Sequence, residues 1–298
     1  MKTYSTKDIR NVVLIGSTRS GKTTLSEAML YEGKVIDRRG SVEAKNTVSD
    51  NSEIEQLNQR SIYATPLYAE FMDTKFNIID APGADDFVGG AVSAFRVCDT
   101  AILVTNAQQG VDVGTEIFAR YADNYNMPVI LGINQIDGEK ANWENTLDGL
   151  KEAFGQKPVI VQFPVNVGTG FDGFVDVLKM KYYHFKDDNG TREDLEIPAE
   201  LQEQAEELRG QLIERAAEFD DGLMEKYFET GVLTEDEIRK GLGIGIRQLA
   251  IMPIFCLSAK KDIGVKRLME FTIKVAAAPS ERKEHTKDGK EVECKVDA

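Results

Sequence analysis

A run of residues near the amino terminus has the types and spacing of a phosphate-binding loop. It reads Gly16-Ser17-Thr18-Arg19-Ser20-Gly21-Lys22-Thr23, which fits the pattern G-x-x-x-x-G-K-[ST]. In that pattern the glycines let backbone N–H groups face phosphate oxygens, the lysine reaches the β- and γ-phosphates, and the last hydroxyl holds Mg²⁺. Residues 16–23, here called the P-loop, therefore predict a nucleotide-phosphate site, which Thr24 would extend. The alternative is a glycine-rich turn before a helix that binds no ligand.

A second segment supplies the acid that such a site needs. Asp80-Ala81-Pro82-Gly83, here called the DAPG segment, ends an apolar run that predicts a strand. A carboxylate at the carboxyl end of a strand beside a P-loop is placed to hold Mg²⁺ together with the loop hydroxyl. We therefore predict Thr23 and Asp80 as the metal-holding residues, with the backbone N–H of Gly83 free to meet a γ-phosphate.

Two further segments predict which base is bound. Asn134-Gln135-Ile136-Asp137, the NQID segment, ends another predicted strand, and Ser258-Ala259-Lys260, the SAK segment, follows the last one. The Asp137 carboxylate can accept hydrogen bonds from N1–H and N2–H₂ of guanine, donors that adenine lacks. The SAK backbone could meet guanine O6 while Lys260 lies along the base. The order of the four segments therefore predicts a guanine-nucleotide site.

Alternating strand-like and helix-like segments predict the α/β scaffold that positions these residues. A mostly parallel sheet flanked by helices is the expected fold class. We expect strands at residues 11–15, 68–72, 76–80, 100–105, 128–133 and 251–257, the second and third of them paired antiparallel. Helical spacing is found at residues 21–30, 112–125, 141–154 and 265–275.

The alternation of strand-like and helix-like segments changes after about residue 166. Beyond that point, amphipathic helices are expected at 199–219 and 234–249. Thr234 and Glu237 have the capping-box spacing at the start of the second helix. We interpret the chain as a core, an α+β subdomain inserted into it, and a tail that opens a second domain. The predicted bounds are 1–165 and 251–278 for the core, 166–250 for the insertion, and 279–298 for the tail, in which Val292, Cys294 and Val296 alternate with other residues.

The composition excludes several classes of protein. With 298 residues, 42% of them hydrophobic, the chain can bury a core without disulfides or metal. The net charge of −14 argues against binding nucleic acid through a broad basic face, so no independent DNA binding is expected. No apolar stretch approaches the ~20 residues that a bilayer crossing requires, so no membrane partner is expected. Three widely spaced cysteines favour a reducing compartment, and we expect a cytoplasmic location.

The four segments in this order resemble those of a translational GTPase. Residues 80–88 resemble the DTPGHVDF segment of elongation factor G, and the VDVGTE run at 111–116 resembles that family's GVQPQTE. Within the family, the chain is most similar to divergent elongation-factor-G-like paralogues, which also read DAPG. The resemblance implies a P-loop GTPase fold, GTP or GDP with Mg²⁺ as cofactors, and a ribosome as partner of the whole protein.

Four positions depart from that family. Ala84 stands where relatives carry a water-positioning His, and Tyr63 where relatives carry a threonine that completes the Mg²⁺ shell. Gln135 replaces a lysine that packs over the base, and Arg19 replaces an aspartate. We therefore expect weak or lost GTP hydrolysis and assign no catalytic residue. Residues 35–65, here called the switch segment, are polar, so few buried contacts are expected to hold them.

Two alternatives to a guanine-nucleotide-binding domain remain open. One is a structural or ribosome-interaction module that does not depend on nucleotide and retains a degenerate P-loop. The other is a small-molecule kinase or ATPase, against which the NQID and SAK segments argue.

Overall fold

The computed structural model describes residues 2–187, 189–281, 284–285 and 291–292. The strands in chain order are β1 (Ile9–Ile15), β2 (Thr65–Phe71), β3 (Thr74–Asp80), β4 (Thr100–Asn106), β5 (Val129–Asn134), β6 (Pro158–Ile160), β7 (Gln162–Pro164), β8 (Gly173–Asp176), β9 (Lys181–Phe185), β10 (Arg192–Leu195), β11 (Met252–Cys256), β12 (Glu284–His285) and β13 (Glu291–Val292).

The helices alternate with these strands in the first half of the chain and cluster in the second. They are α1 (Lys22–Glu32), α2 (Glu53–Asn58), α3 (Val88–Ala94), α4 (Val113–Asn124), α5 (Trp143–Phe154), α6 (Gln202–Ala217), α7 (Asp221–Thr230), α8 (Glu235–Arg247) and α9 (Val265–Val275). Short 3₁₀ turns lie at Thr6–Asp8, Asp85–Phe87, Ala199–Leu201 and Pro279–Glu281. Within the described part of the chain, no helix has both the length and the apolar character needed to cross a membrane.

A seven-stranded sheet in the order β2-β3-β1-β4-β5-β11-β6 forms the centre of the molecule. β2 pairs antiparallel with β3, and the other neighbours pair in parallel. Every residue of β4 and β5 is buried, as expected for strands covered by helices on both faces. The predicted α/β fold class is confirmed. Because parallel strands end at the same edge, the loops after β1, β3, β5 and β11 all meet there.

A second, four-stranded antiparallel sheet in the order β10-β9-β8-β7 lies between the two halves of the core sequence. Its first strand, β7, begins at Gln162, which lies before the boundary predicted at residue 166. Three helices follow, α6 to α8, and α8 begins with the predicted capping box between Thr234 and Glu237. α7 was not predicted, because Leu223 is its one buried residue and its apolar spacing is correspondingly weak.

A buried ion pair joins this second sheet to the helix that closes the core. Arg267 in α9 donates from Nε to Asp176 Oδ2 in β8 over 2.6 Å, and both side chains are at most 2% exposed. The Asp176 carboxylate also accepts the backbone N–H of Lys179 at 2.8 Å. The second sheet is thus fixed to α9, which follows the SAK segment along the chain.

The tail is described in part. Its β12 and β13 pair antiparallel. Cys294 and Val296, on which the predicted tail strand also depended, lie outside the described residues, as does most of the predicted segment 279–298.

Candidate functional site

The P-loop joins β1 to α1, and its glycines are required by the backbone. Gly16 and Gly21 have φ angles of 135° and 94°, in the range that favours glycine. A Cβ on Gly21 would lie 2.3 Å from Asn134 Nδ2, and one on Gly16 would lie 2.3 Å from the Val104 carbonyl oxygen. The loop therefore folds against β4 and the NQID segment with no room for a side chain at either position.

Lys22 is buried inside the loop that precedes it. Its ammonium group donates to the carbonyl oxygens of Gly16 and Ser17, each at 2.9 Å, and the side chain lines the cleft described below. Burial lowers the pKa of Lys22 to about 8, and the nearby Asp80 carboxylate opposes that shift. A Cβ on Gly83 would lie 2.4 Å from Lys22 Nζ, so the DAPG backbone passes directly beside the ammonium group. A desolvated cation beside two backbone turns is suited to a phosphate group.

Asn134 links the P-loop to the SAK segment. Its Nδ2 donates to the Ser20 carbonyl oxygen at 2.9 Å, and its Oδ1 accepts the backbone N–H of Ala259 at 2.9 Å. The side chain is 1% exposed, so both hydrogen bonds are shielded from water. This one amide holds together two loops that lie far apart in sequence.

Gln135 ties the NQID segment to the P-loop. Its Nε2 donates to the Arg19 carbonyl oxygen at 2.8 Å, while its Oε1 accepts from Asn106 and Gln108 at 3.2 and 3.1 Å. Arg19 itself has a φ of 66° and an exposed side chain. Position 135 thus fixes the geometry of the P-loop through the hydrogen bonds of its side-chain amide.

Two adjoining clefts follow this edge of the sheet and share five lining residues: Gly21, Thr24, Glu43, Gln108 and Gln135. The first, of about 500 Å³, is lined by P-loop and switch-segment residues that include Thr18, Lys22 and Thr23. The second, of about 720 Å³, contains the predicted base-reading residues Asn134, Asp137, Ala259 and Lys260. Asp137 is half-buried and Lys260 is exposed there.

The three serines among the predicted binding residues lie behind these surfaces. Ser17, Ser20 and Ser258 are buried, and Ser258 Oγ accepts the backbone N–H of Lys261 at 3.3 Å.

Oxygen-bearing side chains converge beside Thr23. The Thr23 hydroxyl donates to Asp80 Oδ2 at 2.8 Å and lies 3.1 Å from Ser61 Oγ. Asp80 is fully buried, its Oδ1 has no hydrogen-bond partner among the described residues, and burial raises its pKa. Hydroxyl and carboxylate oxygens are the ligands that Mg²⁺ prefers, and a buried carboxylate is stabilised by a cation. The residues present therefore fit the predicted metal.

Asp50, in the switch segment, lies near Ser61 and Asp80. It is 4% exposed, lines the first cleft, and neither carboxylate oxygen makes a hydrogen bond of normal geometry to a described residue. Burial raises the pKa of its carboxyl to about 6, and the Ser61 hydroxyl lies close enough to oppose that shift. Sequence reasoning missed both Asp50 and Ser61.

Residues 7–278 match the model of the elongation factor Tu GTP-binding domain. The chain belongs to that family. It is a translational GTPase domain of the elongation-factor type, and the predicted resemblance is confirmed. The chain is also similar to a protein of Thermus thermophilus whose crystal structure superimposes with a TM-score of 0.86 at 30% sequence identity. That match covers 92% of this chain but 41% of the other, so this chain spans about two fifths of that protein.

The switch segment of this GTPase domain is held by buried carboxylates, so the expectation of few buried contacts was wrong. Glu55 Oε1 accepts the backbone N–H groups of Ile62 and Tyr63 at 2.9 and 3.0 Å. Glu27 in α1 accepts those of Gly40 and Val48 at 2.7 and 2.6 Å. Both glutamates are at most 2% exposed. Polar composition misled the prediction because these acids turn inward and satisfy the backbone of the segment.

Neither Tyr63 nor Ala84, which stand at the positions where the resemblance implies catalytic groups, has a side chain placed and suited for catalysis. Tyr63 is 58% exposed, so its side chain lies largely in solvent. Ala84 lines a cleft beside the P-loop together with Arg60 and Gln109, and its methyl group can neither donate nor accept a hydrogen bond. The sequence signal for the missed Glu55 was the S-x-x-E spacing of Ser52 and Glu55, which forms a capping box at the start of α2.

Proposed function

We propose that this chain is the guanine-nucleotide-binding domain of a divergent elongation-factor-G-like translation factor. It would bind GTP and GDP with Mg²⁺ and hydrolyse GTP slowly or not at all. The observation that carries this proposal is the placement of Asp137 and Asn134 in one cleft with the SAK segment, continuous with the cleft at Lys22. A base and its phosphates would find complementary groups along one continuous surface.

The roles of the residues follow from their chemistry. Lys22 and the N–H groups of the P-loop would bind the phosphates, while Asp137 would accept from the guanine edge. Thr23 and Asp80 would hold Mg²⁺, whose charge offsets that of the phosphates. Asn134 would hold the P-loop, which would bind the phosphates, in a fixed position relative to the SAK segment, which would bind the base. Its two short hydrogen bonds connect these loops.

Slow hydrolysis is proposed from what surrounds Ala84. A hydrolytic site must orient a water molecule and stabilise developing charge at the same time. An alanine methyl orients no water. Bound GTP would therefore persist, and the domain would bind nucleotide without hydrolysing it at a substantial rate.

The whole protein is proposed to act on the ribosome in the cytoplasm, as the family implies. The chain carries a net charge of −14, so it would reach the ribosome through protein surfaces or through parts of a longer protein.

A second candidate function is a module that does not depend on nucleotide. The observation that favours it is that internal hydrogen bonds already bridge the loops: Lys22 to the carbonyl oxygens of Gly16 and Ser17, and Gln135 to that of Arg19. A loop held in this way could retain its sequence for stability alone.

Calorimetric titration with GDP and ADP distinguishes the two functions. We expect GDP to bind at least about tenfold more tightly than ADP, because adenine leaves the Asp137 carboxylate without its donors. Asp137→Ala should reduce that preference to about twofold, while Glu139→Ala, an exposed neighbour, should leave it unchanged. Equal affinities for GDP and ADP would contradict the guanine assignment. No heat with either nucleotide would favour the structural module.

A further inference from the structure

The switch segment presents a serine, not its tyrosine, to the metal-holding residues. Ser61 Oγ lies 3.1 Å from Thr23 Oγ1, which itself donates to Asp80 at 2.8 Å. Tyr63, two residues later at the position where related proteins carry the metal-binding threonine, is 58% exposed. The backbone therefore brings a different hydroxyl to the place where a switch ligand is needed.

The position of Ser61 is fixed by the residues on both sides of it. The backbone turns at Gln59, whose φ is 49°, and Arg60 N–H then donates to the Glu55 carbonyl oxygen at 3.2 Å. After Ser61, the N–H groups of Ile62 and Tyr63 both donate to Glu55 Oε1. With its neighbours attached to one buried glutamate, Ser61 has little freedom to turn its side chain outward.

A buried carboxylate that makes no hydrogen bond of normal geometry provides an independent indication of a cation. Asp50 is only 4% exposed, lines the cleft at Lys22, and neither of its oxygens makes a hydrogen bond of normal geometry to a described residue, although the Ser61 hydroxyl lies close enough to interact with its carboxylate. It also lies close enough to Asp80 for the two negative charges to repel. Two buried carboxylates that face one point are costly unless a cation lies between them.

We propose that Ser61 is the switch-segment ligand of the bound Mg²⁺ and that Asp50 is the residue that positions it. This inference rests on the proposed function, since it deepens the same nucleotide site. The donor set becomes Thr23 Oγ1, Ser61 Oγ and the Asp80 carboxylate, all hard oxygens of the kind that Mg²⁺ selects. Metal binding would then attach the switch segment to the P-loop in spite of the tyrosine at position 63.

The test measures Mg²⁺ affinity directly, by titrating the metal into chain saturated with fluorescent GDP or a non-hydrolysable GTP analogue. We expect Ser61→Ala and Asp50→Asn each to weaken Mg²⁺ binding by about 10- to 100-fold, as loss of ligands or their supporting residues does. Tyr63→Ala is the matched control and should leave Mg²⁺ affinity unchanged. Nucleotide affinity in EDTA should be the same in Ser61→Ala and Tyr63→Ala as in the unaltered chain, and Asp50→Asn, which removes a negative charge from the cleft, should not lower it; these results would show that the P-loop remains folded.

A metal exchange separates direct ligation from a structural effect. Ser61→Cys should lose Mg²⁺ affinity and gain Cd²⁺ affinity, because a thiolate prefers the softer ion, while Tyr63→Cys should gain nothing. If Tyr63→Ala weakens Mg²⁺ binding and Ser61→Ala does not, or if Ser61→Cys gains no Cd²⁺ affinity, the inference is overturned while the proposed function stands. If the unaltered chain binds no nucleotide with or without Mg²⁺, both fail.

Discussion

Replacing Lys22 by methionine is expected to lower GDP affinity by at least about 100-fold, since the hydrogen-bonded charge that meets the phosphates is removed. The same change should stabilise the nucleotide-free protein by about 1–3 kcal/mol, because a buried ammonium group held by two carbonyl oxygens is replaced by an apolar chain of similar length. Function and stability would thus change in opposite directions at one residue.

Parallel titration with GDP and unfolding by urea measure the two effects. Lys151→Met is the matched control, since Lys151 is exposed on α5 and should change neither quantity. A Lys22→Met variant that keeps its GDP affinity within about threefold would exclude Lys22 from phosphate binding.

The lowered pKa of Lys22 adds a dependence on pH. Burial brings that pKa to about 8 from its ordinary value of 10.5, so between these values the unfolded chain binds more protons than the folded chain. Stability contributed by this group therefore rises as pH increases through that window. Phosphate binding should raise the pKa again, so GDP binding at pH values slightly above 8 should take up a proton. Titrations in buffers of different ionisation enthalpy measure this uptake, which Lys22→Met should abolish.

Breaking the buried ion pair between Arg267 and Asp176 is expected to produce the largest loss of stability. Asp176→Leu alone leaves the buried guanidinium group with only the more distant Glu270 carboxylate, 3.8 Å away, as a charged partner among the described residues, and should lower the free energy of unfolding by about 3–5 kcal/mol; Arg267→Met should have a similar effect. The double variant removes both charges and should recover most of that loss. Urea unfolding of the unaltered protein, the two single variants and the double variant gives the coupling energy between the two side chains.

An exposed ion pair provides the comparison. Lys181 and Glu196 lie 2.7 Å apart at the second sheet, with side chains 43% and 90% exposed, and Glu196→Gln should change the free energy of unfolding far less than either buried substitution. If the losses in the two single variants at Arg267 and Asp176 simply add in the double variant, the pair is not coupled and does not fix the second sheet to α9.

The sequence predicted those parts of the fold that have strong apolar periodicity. The last helix was predicted at residues 265–275 and is observed at Val265–Val275, because apolar residues recur along its buried face. The capping box of α8 was also predicted from local spacing. The short helices α2 and α7 were not, since each has a single buried residue and offers too little periodicity to separate it from a loop.

The candidate site was predictable where a segment carries its own pattern. The P-loop, DAPG, NQID and SAK segments could be placed because each follows a strand and those strands end at one edge of the sheet. The amide role of Gln135 was not predictable, because its partner is a backbone carbonyl 116 residues away. Ser61 was missed for a similar reason: the turn that presents it depends on a buried glutamate, and no local pattern distinguishes it from Tyr63.

The identity of the nucleotide recovered from the chain after loading with GTP tests both guanine-nucleotide binding and the proposed loss of hydrolysis. The chain is incubated with Mg²⁺ and GTP labelled in both the base and the γ-phosphate, separated from free nucleotide, held at constant temperature, and then denatured for chromatography. We expect stoichiometric nucleotide that is recovered as intact GTP and that excess GDP, but not excess ADP, displaces. Recovery as GDP with released phosphate would contradict the proposed loss of hydrolysis, and a chain that retains no nucleotide would contradict guanine-nucleotide binding itself.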